Sequence, residues 1–340
     1  MAENAAPYDI VKGILQGFAP PRPLFLPIVF SHAARIDNIP FRSFVANATK
    51  ISNSLRQLRA RLRSDGIACY SDPFLEAEAL GATLDWGGDD RPTTIHWPGH
   101  MTKGELAGIS GSSAEPASGG RVPIAIDVIR RLKATLRADC LLVASVTGPL
   151  TLAASLAQLD LKAALNSAEI PASALDLATA VISGIASAFA EAGASVLMIR
   201  EEFLPALSEE GFSDWTSRLA PTINIVRFYQ ALPVLLLTCR NGVMANREAI
   251  LRESWDCVVC QIFDGKPDTA TLSELGPLRF GVALAPEAFA PGSTGAADFD
   301  ESVRKLVTDL QPAVVTTAGD LPAAVHIERL NKLWESIRRR

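Results

Sequence analysis

The sequence predicts one (β/α)8 barrel, and three observations carry that expectation. Eight short apolar runs alternate with longer segments whose apolar residues recur at helical spacing. Most of these runs are nearly continuous rather than alternating, as parallel strands covered on both faces are. A doubly wound open sheet, the rival arrangement, needs a glycine-rich turn or a switch point, and neither is found.

In chain order, strands are expected at Leu24–Phe30 ("LFLPIVF"), Ala68–Ser71, Leu141–Val146 ("LLVASV") and Val196–Ile199. Four more are expected at Val234–Cys239 ("VLLLTC"), Cys257–Phe263 ("CVVCQIF"), Phe280–Leu284 ("FGVAL") and Ala313–Thr317 ("AVVTT"). Helical spacing marks Phe44–Leu62, Leu175–Glu191, Ser213–Tyr229 and Ser302–Leu310, and a last helix is expected over Ala324–Ile337. Trp86–Arg121, rich in Gly, Ser, Pro and Thr, has little period of either kind and reads as a long loop, a lid or a disordered insertion. Neither an internal repeat nor a linker-like boundary divides the chain, so residues 1–340 are expected to form one barrel domain with an insertion at about 86–121.

Apolar residues make up 48% of the 340 and charged ones 20%, which suits a globular protein with a large interior. The net charge of −5 argues against nucleic acid as a partner, because a phosphate-backbone binder needs a basic face. No uninterrupted run of about 18 apolar residues suggests a membrane span, and "MAENAAPYDIVKG" lacks a signal pattern. Five cysteines without framework spacing suit a reducing compartment, so a cytoplasmic location is expected.

In a barrel of this kind the chemistry sits where the strands end at their C-termini. Those ends read Ser31-His32, Asp72, Thr147-Gly148, Arg200-Glu201-Glu202, Cys239-Arg240-Asn241, Asp264 and Asp320, with Arg35 nearby. Carboxylates and arginines gather there, and Glu76 and Glu78 follow Asp72 in "YSDPFLEAEALG". Cys257 and Cys260 have C-x-x-C spacing, but three residues apart on a strand they face opposite ways and are expected in the core. Of the thiols, Cys239 stands at a catalytic strand end. His96 and His100 lie in the long loop with Pro98 and Gly99 between them, which disfavours a helical metal pair. His326 is expected on the surface. His32, beside the first strand's end, is the histidine best placed for proton transfer.

These strand ends resemble the uroporphyrinogen decarboxylase superfamily, particularly its corrinoid-dependent methyltransferases of the methylcobamide:coenzyme M type. The resemblance lies in "DPFLEAEALGATLDW", "SVTGPLTLAASL", "EAGASVLMI", "PVLLLTC" and "VVTTAGDLPAAVHIERLNKL", in the family's order and over most of the chain. It implies the same (β/α)8 barrel. It also implies where to look for departures. The methyltransferases hold a catalytic zinc with His-x-Cys after the fifth strand and a Cys after the eighth. Here Leu236 or Leu237 stands at the histidine position and Gly319 at the second cysteine, so Cys239 alone remains and zinc is not expected, nor any other metal. The decarboxylases keep an aspartate in "F-S-D-I-L", which "YSDPF" matches at Asp72; their tyrosine and histidine positions carry Ser155 and Gly319.

The resemblance therefore implies a corrinoid-linked methyltransferase without a zinc thiolate. It would move a methyl group between a small methylated substrate, or tetrahydrofolate, and the cobalt of a corrinoid (cobalamin). No D-x-H-x-x-G corrinoid motif is present, so the corrinoid would arrive on a partner protein or a second methyltransferase subunit. The expected catalytic residues are Asp72, His32 and Glu201. Arg35, Glu78, Arg200, Cys239, Arg240, Asn241 and Asp320 are expected to contact substrate. The alternatives are a decarboxylase of a small carboxylated substrate, with Asp72 and arginine clamps, and a non-catalytic subunit of a methyltransferase complex.

Overall fold

Pro27 cuts the first expected strand short. Having no N–H to give to a ladder, it ends β1 at Leu24–Leu26, and the chain turns into helix α2 (Phe30–Ile36) where the strand was expected to finish. The computed structural model describes residues 5–87, 94–97, 116–136, 140–159, 170–261, 280–289, 296–321 and 323–338, without the side chains of residues 240, 296 and 297.

Helix α1 (Pro7–Leu15) precedes β1, and α3 (Phe41–Val45) and α4 (Ala48–Arg61) follow α2. Asn47 divides α3 from α4 by accepting the Lys50 N–H at 3.0 Å, an N-cap inside the expected helix Phe44–Leu62. Next come β2 (Gly66–Tyr70), α5 (Leu75–Ala79), β3 (Thr83–Asp85), β4 (Thr94–His96), α6 (Val122–Thr135), β5 (Leu141–Thr147) and α7 (Pro149–Leu156). They lead to α8 (Ala172–Ala192), β6 (Val196–Glu201), α9 (Glu209–Phe228), β7 (Leu232–Leu237), α10 (Arg240–Ala245) and α11 (Arg247–Arg252). The chain finishes with β8 (Val258–Gln261), β9 (Phe280–Leu284), α12 (Ala296–Leu310), β10 (Val314–Thr317) and α13 (Ile327–Arg338).

Eight of these strands form one sheet in the order β1-β10-β9-β8-β7-β6-β5-β2, every neighbour parallel. Asp65 stitches the seam between β1 and β2. Its N–H donates to the Phe25 carbonyl (3.0 Å), and its carboxylate accepts the Phe25 N–H (2.8 Å) and both Nη atoms of Arg22 (2.8 and 2.9 Å). The barrel is thus the (β/α)8 form expected. Of the expected loop Trp86–Arg121, residues 88–93 and 98–115 lie outside the described residues; in the rest, β4 pairs antiparallel with β3 and Pro116–Ser118 forms a 3-10 turn. A three-residue strand such as β4 is too short to show a period.

Two apolar layers reveal which way each strand side chain points. Leu24, Leu26, Leu141, Val143, Val196, Met198, Val234, Leu236, Cys257 and Val259 fill the barrel, and Ile10, Val11 and Ile14 of α1 pack against them. Phe25, Ile67, Leu142, Val146, Leu197, Ile199, Leu235, Leu237, Val258 and Cys260 face the helices instead. Cys257 and Cys260 fall in different layers, as their spacing requires. On β2 an extra residue between Ala68 and Tyr70 places both Cys69 and Tyr70 on the helix side. Helix α8, 21 residues long, is apolar enough by length and composition to cross a membrane. Here its Ala178, Val181, Ile185 and Phe189 are buried in the layer between helices and sheet, and Gly193 ends it in the left-handed conformation (φ 109°).

Candidate functional site at the mouth of the barrel

Because all eight strands are parallel, their C-terminal ends lie at one end of the barrel, the mouth. There the alternation of the two layers decides which residues meet a ligand. Ile199 faces the helices, so Arg200 turns to the barrel axis and Glu201 turns back to the helices. Ser145 and Thr147 on β5, Thr238 just past β7 and Gln261 on β8 share the inward parity of Arg200. All five are partly solvent-exposed, whereas their outward neighbours Val146, Glu201, Leu237 and Cys260 are buried. An opening lined by hydroxyls, an amide and a guanidinium is the physical meaning of that contrast. Three of these five residues, Ser145, Thr238 and Gln261, escape a reading of the residues that follow each run. Continuing the in-out alternation through the last turn of each strand would have found them.

Two buried carboxylates clamp the turn from β5 into α7. Glu76 of α5 accepts the Thr147 N–H (2.9 Å) and its hydroxyl (2.8 Å). Glu201 accepts the N–H groups of Leu150 (3.0 Å) and Thr151 (2.9 Å), the Thr151 hydroxyl (2.6 Å) and Trp215 Nε1 (3.2 Å). It therefore caps the N-terminus of α7, where a negative charge is favoured. Burial pushes the Glu201 acid up to about 7 against the pull of those donors, and burial also raises Glu76. Gly148 makes the clamp possible, because a Cβ there would lie 2.2 Å from Glu201 Cδ. The carboxylate of Glu201 thus points into the helix layer and not toward the barrel axis.

Asp72 and Glu78 meet at Arg121, the residue before α6. Arg121 Nη1 lies 2.6 Å from Asp72 Oδ2, pairing the charges without the alignment of a hydrogen bond, and the two side chains are 9% and 2% exposed. Arg121 Nε donates to Glu78 Oε2 (2.7 Å), and Nη1 reaches the Tyr70 hydroxyl at 3.4 Å. The Trp86 ring lies 5.4 Å from the Arg121 guanidinium and 5.6 Å from that of Arg42. Burial opposes the charge of Arg121, but Asp72, Tyr70 and Glu78 outweigh it, so its pKa is raised. Asp72 Oδ1 also accepts the Phe74 N–H at 2.9 Å, fixing the turn after β2. Arg121 closes the long loop and precedes no strand, so nothing in the sequence singled it out.

The other expected site residues are spread around the same end. Asp320, past β10, accepts the N–H groups of Phe30 (2.8 Å) and Ser31 (3.0 Å) at the start of α2. His32 Nδ1 lies 2.9 Å from the Ala323 carbonyl, an acceptor only, so the ring donates there and leaves Nε2 unprotonated when neutral. Its pKa is lowered, chiefly by burial, and the charges acting on it, Arg35, Arg61 and Glu328, belong to α2, α4 and α13. Arg35 and Asn241 are exposed, and Arg200 pairs with Glu202. Arg240 begins α10. His96 is on β4 and His326, exposed, precedes α13. Asp264, His100 and the end of the expected strand Cys257–Phe263 lie outside the described residues.

Zinc of the methyltransferase type does not fit these residues. Cys239 Sγ is 3.7 Å from the Glu201 carbonyl, and burial, with the Glu201 charge, pushes its thiol up to about 12. Leu237 is buried on the helix side, Leu236 inside the barrel, and Gly319 offers no donor. Among the described residues no three His, Cys, Asp or Glu gather as a metal would require.

A solved structure described as a methyltransferase from Methanosarcina mazei matches with a TM-score of 0.76 at 16% identity, covering 98% of both chains. A second, D-psicose 3-epimerase in the presence of D-fructose, matches at 0.43 and 11% identity over 84% of this chain and 90% of its own, too slight a likeness to bear on the fold. No curated protein matches the chain. The sequence model of the uroporphyrinogen decarboxylase (URO-D) family matches residues 11–258, and the chain belongs to that family.

Proposed function

We propose that the protein is a methyltransferase of the corrinoid-linked type. It moves a methyl group between a small methylated substrate, or tetrahydrofolate, and a corrinoid brought by a partner protein or second subunit. The observation that carries this reading is the match of the barrel, end to end, to a structure described as a methyltransferase, within the URO-D family. The mouth supports it. Binding and orientation are what a methyl transfer asks of a protein whose methyl carrier is a cofactor, and Ser145, Thr147, Arg200, Thr238 and Gln261 supply uncharged and cationic groups for both. Among the residues expected to be catalytic, Asp72 and Glu201 hold Arg121 and α7 in place, which suits positioning rather than proton transfer. His32 is half-buried with its pKa lowered by that burial, and its neutral form keeps an unprotonated Nε2.

A small-molecule decarboxylase is the second reading, favoured by Asp72 at the family's aspartate position and Arg200 at the mouth. Anaerobic incubation with methylcobalamin and tetrahydrofolate, followed by mass spectrometry, separates the two. Protein-dependent methyltetrahydrofolate supports the methyltransferase. Carbon dioxide released from added small carboxylic acids, with no methylated product, would replace it with the decarboxylase.

A further inference from the structure

We infer that the mouth takes a substrate with a carboxylate group, that Arg200 is its receptor, and that Glu202 occupies that receptor until the substrate displaces it. The inference deepens the methyltransferase reading and rests on it for the substrate's being a small molecule.

Arg200 is the charged residue among the five inward-facing side chains of the mouth, the others being Ser145, Thr147, Thr238 and Gln261. Its side chain is 13% exposed, and its Nε is buried with no hydrogen-bond partner. A buried guanidinium N–H left unpaired is costly and is open to a water or a ligand oxygen. The Nε atoms of Arg22, Arg247 and Arg329 are in the same state, and Arg200 differs from those residues in facing the mouth. The adjacent donor is already informative. Nη2, which with Nε forms the edge that a carboxylate grips side-on, is paired with Glu202 Oε1. Glu202 is 43% exposed and reaches back from only two residues along the chain, so its carboxylate sits on one half of a two-donor edge. A ligand carboxylate can take both halves while Glu202 swings into water.

The surroundings favour this exchange. Glu76 is a further carboxylate that feels the Arg200 charge; burial outweighs that attraction and raises its pKa, and its oxygens are taken by Thr147. Glu201, next in sequence, is turned to the helix side and engaged by four donors. The hydroxyls of Ser145 and Thr238 and the amide of Gln261 are neutral groups able to bind the rest of a small polar ligand.

The test is thermal unfolding at constant ionic strength, titrating acetate, succinate, inorganic phosphate and chloride into the corrinoid-free protein. Acetate or succinate should raise the melting temperature saturably, and chloride and phosphate should not. Glu202→Gln, which removes the internal competitor, should lower the half-saturating carboxylate concentration by about threefold or more. Arg200→Gln should abolish the response. An unchanged response in Arg200→Gln, an equal response to phosphate or chloride, or weaker or unchanged carboxylate binding in Glu202→Gln would each overturn the proposal. Should Arg200→Gln fail to fold, the Glu202→Gln titration decides alone. No corrinoid is used, so this result is read independently of whether methyl transfer occurs.

Discussion

Breaking the Asp72–Arg121 pair should cost stability in a pattern that only a buried, shared ion pair produces. Arg121→Met leaves Asp72, 2% exposed, and Glu78 facing each other without a cation. Removing one partner of a buried pair costs about 3–5 kcal/mol. Asp72→Asn is milder. An asparagine oxygen still accepts the Phe74 N–H that Asp72 Oδ1 holds at 2.9 Å, and Arg121 keeps Glu78 at 2.7 Å, so the cation is not stranded. A loss of about 1–3 kcal/mol is expected. The double variant should lose less than the two together, with a coupling of roughly 1–3 kcal/mol. At roughly 2 °C per kcal/mol for a chain of this size, Asp72→Asn should melt several degrees below the parent. Urea and thermal denaturation of all four proteins, followed by circular dichroism, give the cycle. Additivity within about 0.5 kcal/mol would refute the pairing, and an unshifted melting temperature for Asp72→Asn would return Asp72 to the role of a free catalytic acid.

Gly148→Ala should destabilise the protein by about 1–3 kcal/mol or more, because its Cβ would overlap Glu201 Cδ; a parental melting curve would show that Glu201 does not fill that space. His32, whose pKa is lowered in the fold, takes up a proton more readily when unfolded, so its own contribution to stability should fall as pH drops below about 6.5, while the raised acids Glu201 and Glu76 act in the opposite direction. His32→Gln, which can still donate to Ala323, should remove the His32 contribution; an unchanged pH dependence would mean that the fold does not lower the His32 pKa. Elemental analysis should find far less than one zinc per chain, unaffected by Cys239→Ala, and a tightly held zinc lost in that variant would contradict the poor ligand set.

Apolar continuity located all eight barrel strands because a strand buried on both faces leaves a dense signature. It could not show that Pro27 ends β1 early or that Asn47 caps α4, since both act through single backbone groups. The strand ends were legible as a place but not as a direction. Glu201 and Arg200 are adjacent, yet one caps a helix and the other faces the axis, and only the alternation of layers separates them. Arg121 was invisible for another reason. Its partners Asp72, Glu78 and Tyr70 are 43 to 51 residues away, and the closing of the long loop brings them together.

The cobalt spectrum is the most direct test of corrinoid-linked methyl transfer. Under anaerobic conditions, methylcobalamin with tetrahydrofolate, and cob(I)alamin with a panel of methylated amines and ethers, should each be mixed with the purified protein. A protein-dependent interconversion of the methylcobalamin and cob(I)alamin bands, with at least one donor or acceptor and faster than in buffer, is the expected result. Spectra that track the buffer control with every partner, from protein that is folded and binds carboxylates through Arg200, would contradict it.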